Sequence, residues 1–206
     1  MLQKYRFLSF IPVYSSRLRQ RFMLTLSQLT NLLRLIFYNL VIHCLRVLFQ
    51  IASVFNTKAK AFVNGRKSFF LKLKSSLADN KAAIIWVHCA SLGEFEQGRP
   101  VMEVLKREFA HHKILLTFFS PSGYEIRKNY PGADYIFYLP WDTKSNARKF
   151  VKIVNPSLAI FIKYEFWYNF SHELKRRNIP QLSVSSIFRE DQVFFKPYGS
   201  LFRKIL

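Results

Sequence analysis

From Lys81 onward, short apolar runs alternate with stretches whose apolar residues recur every three or four positions. AIIWVH (83–88), KILLTFF (113–119), YIFYLP (135–140), SLAIFI (157–162) and PQLSVSS (180–186) have the length and bulk of buried strands. Between them lie helical patterns. FEQGRPVMEVLKREF places Val101, Val104, Leu105 and Phe109 at helical spacing, and SPSGYEIRKNY reads as a turn and a short helix. TKSNARKFVKIV sets Ala147, Phe150, Val151 and Val154 on one face behind Asp142, which reads as its N-cap. EFWYNFSHELKRR ends in Lys175, Arg176 and Arg177, a basic last turn that suits a helix dipole. Strands alternating with helices at this spacing predict an α/β domain over 81–206. Its Rossmann-like parallel sheet carries helices on both faces. Ligands bind such sheets past the strand carboxyl ends, here 88–94, 120–123, 139–142, 163–167 and 185–189.

The first 80 residues are different. Residues 35–57, LIFYNLVIHCLRVLFQIASVFNT, carry one charge, Arg46, and are long enough for a membrane helix. Arg46 near the centre costs roughly 2.5–3.5 kcal/mol on insertion scales, and Asn39, His43 and Gln50 weaken the apolar character further. A spanning helix, an interfacial amphipathic helix and a buried soluble helix all remain open. Residues 1–34 form a basic extension without clear periodicity, and 58–80 read as a basic linker. Arg17, Arg19, Arg21 and Arg34 precede the apolar segment; Lys58, Lys60, Arg66, Lys67, Lys72 and Lys74 follow it. Such flanks favour the cytoplasmic side of a membrane, which places the globular part in the cytoplasm. No small-residue cleavage site follows the apolar run, so a removable signal peptide is not expected.

Charge sharpens this picture. The formal net charge is +20, and residues 1–80 carry 13 Lys/Arg against a single acid, Asp79. Basic residues beside an apolar run suit an anionic membrane surface. Nucleic-acid binding is the rival explanation, and no nucleic-acid motif accompanies the charge. Two isolated cysteines, Cys44 and Cys89, make neither a disulfide framework nor a C-x-x-C site. The histidines are scattered apart from His111-His112, so no metal site is expected.

The stretch HCASLGEFEQ (88–97) holds the most pointed chemical question. Ser91-Leu92-Gly93-Glu94 fits the S-x-x-E capping box, in which Glu94 only satisfies backbone donors. The same position, at the end of a buried strand, suits an active-site carboxylate. A helix N-terminus favours the ionised form there, and Gly93 permits a tight turn and the approach of a sugar. Ser122-x-x-Glu125 fits a second capping box, with Ser120 and Ser122 as turn and cap residues. Exposed donors at that helix start also suit an anion.

HCASLGEFEQ, SPSGYE, YLPWD, YEFWYN and SIFR, in this order and spacing, resemble the N-terminal domain of the 3-deoxy-D-manno-octulosonic acid (Kdo) transferases. The resemblance runs from about residue 35 to the C-terminus. It implies the N-terminal half of a two-domain GT-B glycosyltransferase that moves Kdo from CMP-Kdo to a lipid A precursor, in lipopolysaccharide biosynthesis. It also implies work at the inner face of the cytoplasmic membrane, with no metal or cofactor beyond the donor substrate. On this resemblance Glu94 is the catalytic base. Ser91, Gly93, Ser120, Ser122, Gly123, Lys163, Glu165, Trp167, Asn169 and Arg189 fall at acceptor-binding positions. The family's E-x-E-L-W-P-N motif is altered here: Lys163 stands where the first acid is common, and Tyr168 stands for proline. Lys163 and Arg189 are otherwise solvated charges, well placed for lipid phosphates. The run 175–177 reads as a helix face.

The family places its donor nucleotide mainly in a C-terminal domain, which the resemblance leaves beyond GSLFRKIL. Alone, the 206 residues are expected to transfer no Kdo. A different class of function stays open: a non-catalytic membrane module that binds lipid A precursor or another acidic lipid.

Overall fold

The computed structural model describes residues 11–165, 167–186, 195 and 196. Helix α1 (Ile11–Phe55) is one continuous helix of 45 residues. It therefore starts well before the apolar segment read from the sequence, and it ends two residues earlier. Asn56 stops it by adopting an extended conformation, and its side chain accepts the N–H groups of Lys58 and Ala59 to open α2 (Thr57–Asn64). Within α1, Gln28–Phe55 is long and apolar enough to cross a membrane. The chain divides at Leu40 into two compact units. The second begins at Val41, so it keeps the end of α1 together with the α/β domain.

The expected linker at 58–80 is instead α2 followed by α3 (Phe69–Ser76), and Phe62, Phe69 and Leu73 are buried. Lysines between those apolar positions disguise the helical pattern. The Phe62 ring stacks near Phe49 of α1 (4.4 Å) and Trp141 (5.3 Å). Arg66, read from the sequence as part of a membrane-facing cluster, lies inside the domain. Its guanidinium sits 3.6 Å from the Phe62 ring centroid. It donates to the carbonyls of Phe62, Leu139 and Phe119 at 2.9, 2.8 and 2.7 Å.

The sheet has five parallel strands: β1 (Ile84–Cys89), β2 (Lys113–Phe118), β3 (Tyr135–Tyr138), β4 (Leu158–Ile162) and β5 (Gln181–Val184). Their order is β3-β2-β1-β4-β5, so the chain reverses direction across the sheet at β1, which is central. All six β1 residues are buried, and side-chain alternation splits them between two cores. Ile84 and Trp86 join Leu115, Phe150, Phe161 and Phe170 beneath α3, α6 (Lys144–Val154) and α7 (Tyr168–Arg176). Ile85, Val87 and Cys89 join Phe95, Met102 and Phe118 beneath α4 (Leu92–Glu108). The short helix α5 (Pro121–Arg127) adds Tyr124 to that second face.

The apolar face expected on α6 is the buried one. On α4 the face is rotated from expectation: Phe95, Gly98, Met102 and Leu105 are buried, while Val104 and Phe109 are exposed. Gly98 explains the rotation. A Cβ there would lie 2.8 Å from Ile162 Cγ1 and 2.9 Å from its Cδ1, so only glycine lets the helix approach β4 this closely. Gly98→Val is expected to destabilise the domain by roughly 1–3 kcal/mol through overpacking. Urea unfolding measures this, and an unchanged midpoint would mean that the α4–β4 contact is looser than described.

Candidate active site

The carboxyl ends of β1 and β4 adjoin at the rim of the sheet, and two glutamates stand there. Ser91 is the N-cap of α4, yet its hydroxyl makes no cap bond. Glu94, in the first turn, accepts the backbone N–H of Ala90 through Oε2. The capping box is thus not formed: the acid reaches back past the N-cap to Ala90, and the Ser91 hydroxyl makes no cap bond. Among the described residues, Glu94 Oε1 takes no hydrogen bond, and the space beside Gly93 is open. Gly93 does not adopt positive φ, so its contribution is this open space rather than a tight turn.

Burial pushes the Glu94 carboxyl above its ordinary value, and the negative charge of Glu165 adds to that. The Ala90 N–H, His88 and Lys163 pull it part of the way back. Burial is the largest of these causes, and it acts against the preference of a helix N-terminus for the ionised form. Burial, with help from Glu94 and Glu165, also raises the Cys89 thiol well above its usual range, which excludes Cys89 as a thiolate nucleophile at neutral pH.

A polar chain runs through the core beside Glu165. Trp86 Nε1 donates to Thr117 Oγ1 at 2.8 Å. Trp167 Nε1 donates to His88 Nε2 at 3.2 Å, which leaves the ring proton on Nδ1, facing Thr117 Oγ1 at 2.9 Å and the Thr117 carbonyl at 3.1 Å. Glu165 Oε2 lies 3.8 Å from the same Nε2. His88 and Thr117 are fully buried and are direct partners in the β1–β2 register. The sequence reading gave neither a role, although His88 opens the HCASLGEFEQ motif and Thr117 is a polar residue inside an apolar run. The turn after β4 takes a left-handed conformation at Lys163 (φ 61°). Hydroxyls of Ser183 and Ser186 hold the Lys163 carbonyl at 2.8 and 2.7 Å.

The remaining expected residues divide into rim and core. Ser120 caps α5 by accepting the Ser122 N–H, and the two hydroxyls lie 3.0 Å apart at the surface. The second capping box does not form, because Glu125 instead binds the Tyr138 hydroxyl (3.0 Å) and Lys128 (3.0 Å). Gly123 is buried, and a Cβ there would lie 2.3 Å from the Phe118 ring, so its role is packing. Asp142 does not cap α6; Thr143 does, accepting the Asn146 N–H. Asp142 is fully buried and accepts the N–H groups of Asn169 and Phe170, both at 3.0 Å, at the start of α7. The Asn169 side chain donates to the Asp142 carbonyl at 2.7 Å, which makes Asn169 part of this cross-brace. Trp167 bridges core and rim, its ring 4.6 Å from Phe119. Arg176 and Arg177 both bind Glu173 within α7. Arg189 and Phe166 lie outside the described residues. Among the described residues, no group of three or more His, Cys, Asp or Glu could hold a metal ion.

Fold and rim together define a parallel α/β domain with a carboxylate pair at its carboxyl edge. The family model described as 3-deoxy-D-manno-octulosonic-acid transferase (kdotransferase) matches residues 63–206, and the chain belongs to that family. Proteins named 3-deoxy-D-manno-octulosonic acid transferase share 36% identity over 141 residues in Aquifex aeolicus, covering 68% of this chain and 35% of the relative. In Haemophilus influenzae the figure is 34% over 97 residues, 47% of this chain and 23% of the relative. In Chlamydophila psittaci it is 28% over 123 residues, 57% and 28%. The chain thus spans about a quarter to a third of the length of these relatives.

The raised Glu94 carboxyl has a thermodynamic signature. The folded protein holds this proton more tightly than the unfolded chain, so wild-type stability falls as pH rises from the ordinary glutamate value near 4.5 through the raised one. Glu94→Gln keeps an acceptor for Ala90 and has no such loss. Between about pH 4 and pH 7 the difference in Tm should therefore shift in favour of the variant. A shift in favour of wild type over that range would identify Glu94 as an ordinary stabilising cap.

Proposed function

We propose that this chain is the acceptor-binding, base-carrying domain of a glycosyltransferase that adds Kdo to a lipid A precursor during lipopolysaccharide synthesis. One observation carries the assignment: a half-buried carboxylate of raised pKa, tethered by one oxygen to Ala90, stands beside open space at the carboxyl end of the central strand. A general base works best when its pKa approaches the working pH, and burial beside Glu165 moves Glu94 in that direction.

In the proposed reaction, Glu94 Oε1 takes the proton from an acceptor hydroxyl. The freed oxygen forms a bond to the anomeric carbon of Kdo while the bond from that carbon to the CMP phosphate breaks, and CMP departs with the electron pair. Glu165 keeps Glu94 basic through charge repulsion. Lys163, at the same rim, offsets part of the negative charge. Ser120 and Ser122 present hydroxyls to the acceptor sugar. Donor binding belongs to a second domain in this scheme, as in the two-domain glycosyltransferases. The apolar stretch Gln28–Phe55 supports work at a membrane, and the basic residues around it support the cytoplasmic side.

In a two-domain transferase containing this chain, Glu94→Gln should lower kcat by about 10²–10⁴-fold, the range for loss of a general base. KM for the acceptor should change little. Single-turnover transfer from CMP-Kdo to lipid A precursor measures the step. Near-normal turnover per folded molecule would remove Glu94 from the chemistry.

A further inference from the structure

A groove of about 430 Å³ opens on the second unit between the end of α1, the α2–α3 turn and the β3–α6 loop. Arg46 and Gln50 enter it from α1, one helical turn apart and so on the same face. Lys67 and Ser68 enter from the turn before α3; Trp141 and Asn146 close the far side. Arg66 lines its inner wall. No aspartate or glutamate lines the groove.

Three cations around one cavity without a counter-ion are electrostatically incomplete. Arg66 is protonated at neutral pH, although burial draws its pKa down to about 9. Three of its N–H groups go to carbonyls, which supply hydrogen bonds and no net negative charge. The Arg46 and Lys67 side chains form no ion pair among the described residues, and Ser68 makes no side-chain cap at the start of α3. An anion seated here would gain Arg46 and Lys67 as direct donors, with Arg66 behind them as a fixed positive charge.

The surroundings select a lipid. Arg46 and Gln50 belong to the apolar stretch Gln28–Phe55, whose Val47, Leu48, Ile51, Val54 and Phe55 are exposed. Leu71, at the groove edge, is also exposed. A free phosphate would leave this apolar surface uncovered, whereas acyl chains would cover it. We propose that the groove binds the phosphate of a membrane-lipid headgroup, with Arg46 and Lys67 holding the phosphate oxygens. The site is separate from Glu94 and stands whether or not Glu94 is the base. The phosphate has two chemical sources, a bulk phospholipid or the phosphorylated acceptor.

The test uses the full chain in detergent, titrated with short-chain phosphatidic acid, phosphatidylglycerol, phosphatidylcholine or lipid A precursor. Arg46→Gln/Lys67→Gln is compared with Lys81→Gln/Lys152→Gln, which removes equal charge outside the groove. The account expects saturable binding of the anionic lipids, weakened about tenfold or more in the groove variant by loss of charge-assisted bonds and little changed in the control. Lipid A precursor binding much more tightly than phosphatidic acid, and displacing it, would assign the groove to the acceptor. Equal affinities would assign it to bulk anionic phospholipid. Equal weakening in both variants, or phosphatidylcholine binding as tightly as the anionic lipids, would overturn the proposal.

Discussion

A histidine at the end of the central strand, with no exposed surface, must find partners on both ring nitrogens, and the candidate site is arranged around how it does so. His88 turns Nδ1 toward Thr117 on β2 and accepts from Trp167 beyond β4 through Nε2. A buried ring nitrogen left unpaired costs about 1–3 kcal/mol, so this chain ties together the ends of three strands. Trp167 in turn fixes the segment that carries Glu165. The second carboxylate stands beside this satisfied imidazole, and its negative charge helps to raise Glu94. Asp142 braces the same segment from the other side by receiving the first N–H groups of α7.

The order of strands and helices was legible because a parallel sheet buried on both faces leaves continuous apolar runs in the chain. The α6 face was equally plain, since four of its five apolar residues, all but Ile153, recur at helical spacing. Contacts between elements distant in sequence were not legible. Asp142 stands directly before a helix and looks like its cap, yet it serves a helix 26 residues further along. The α4 face depends on Gly98, a residue without a side chain, so no hydrophobic count weights it correctly. At the site, Glu94 and Glu165 were both named from motifs, but the sequence could not show that Glu94 is partly buried or that the charge of Glu165 acts on it. His88 opens the HCASLGEFEQ motif without a role of its own there, and Thr117 lies in no motif. Their pairing exists only in the register of β1 against β2.

The basic N-terminal region shows how one residue type covers different physics. Arg66 and Lys67 are neighbours and look alike in a charge count. One is enclosed by Phe62, Phe119, Tyr138 and Trp141 and holds three carbonyls; the other reaches into an open groove. Arg46, the one charge in the otherwise apolar stretch 35–57, faces that same groove. The end of α1 is consequently part of the domain, since Phe49 packs on Phe62 and Trp141.

The account rests most heavily on Glu94 being held above the ordinary carboxylate value by burial and by Glu165. A carboxyl-carbon NMR titration of the glutamate-labelled chain, with the Glu94 signal assigned by its loss in Glu94→Gln, reads this directly. The account predicts a midpoint above that of exposed glutamates, moving down when Glu165→Gln removes the neighbouring charge. A midpoint at or below that of exposed glutamates, insensitive to Glu165→Gln, would contradict it.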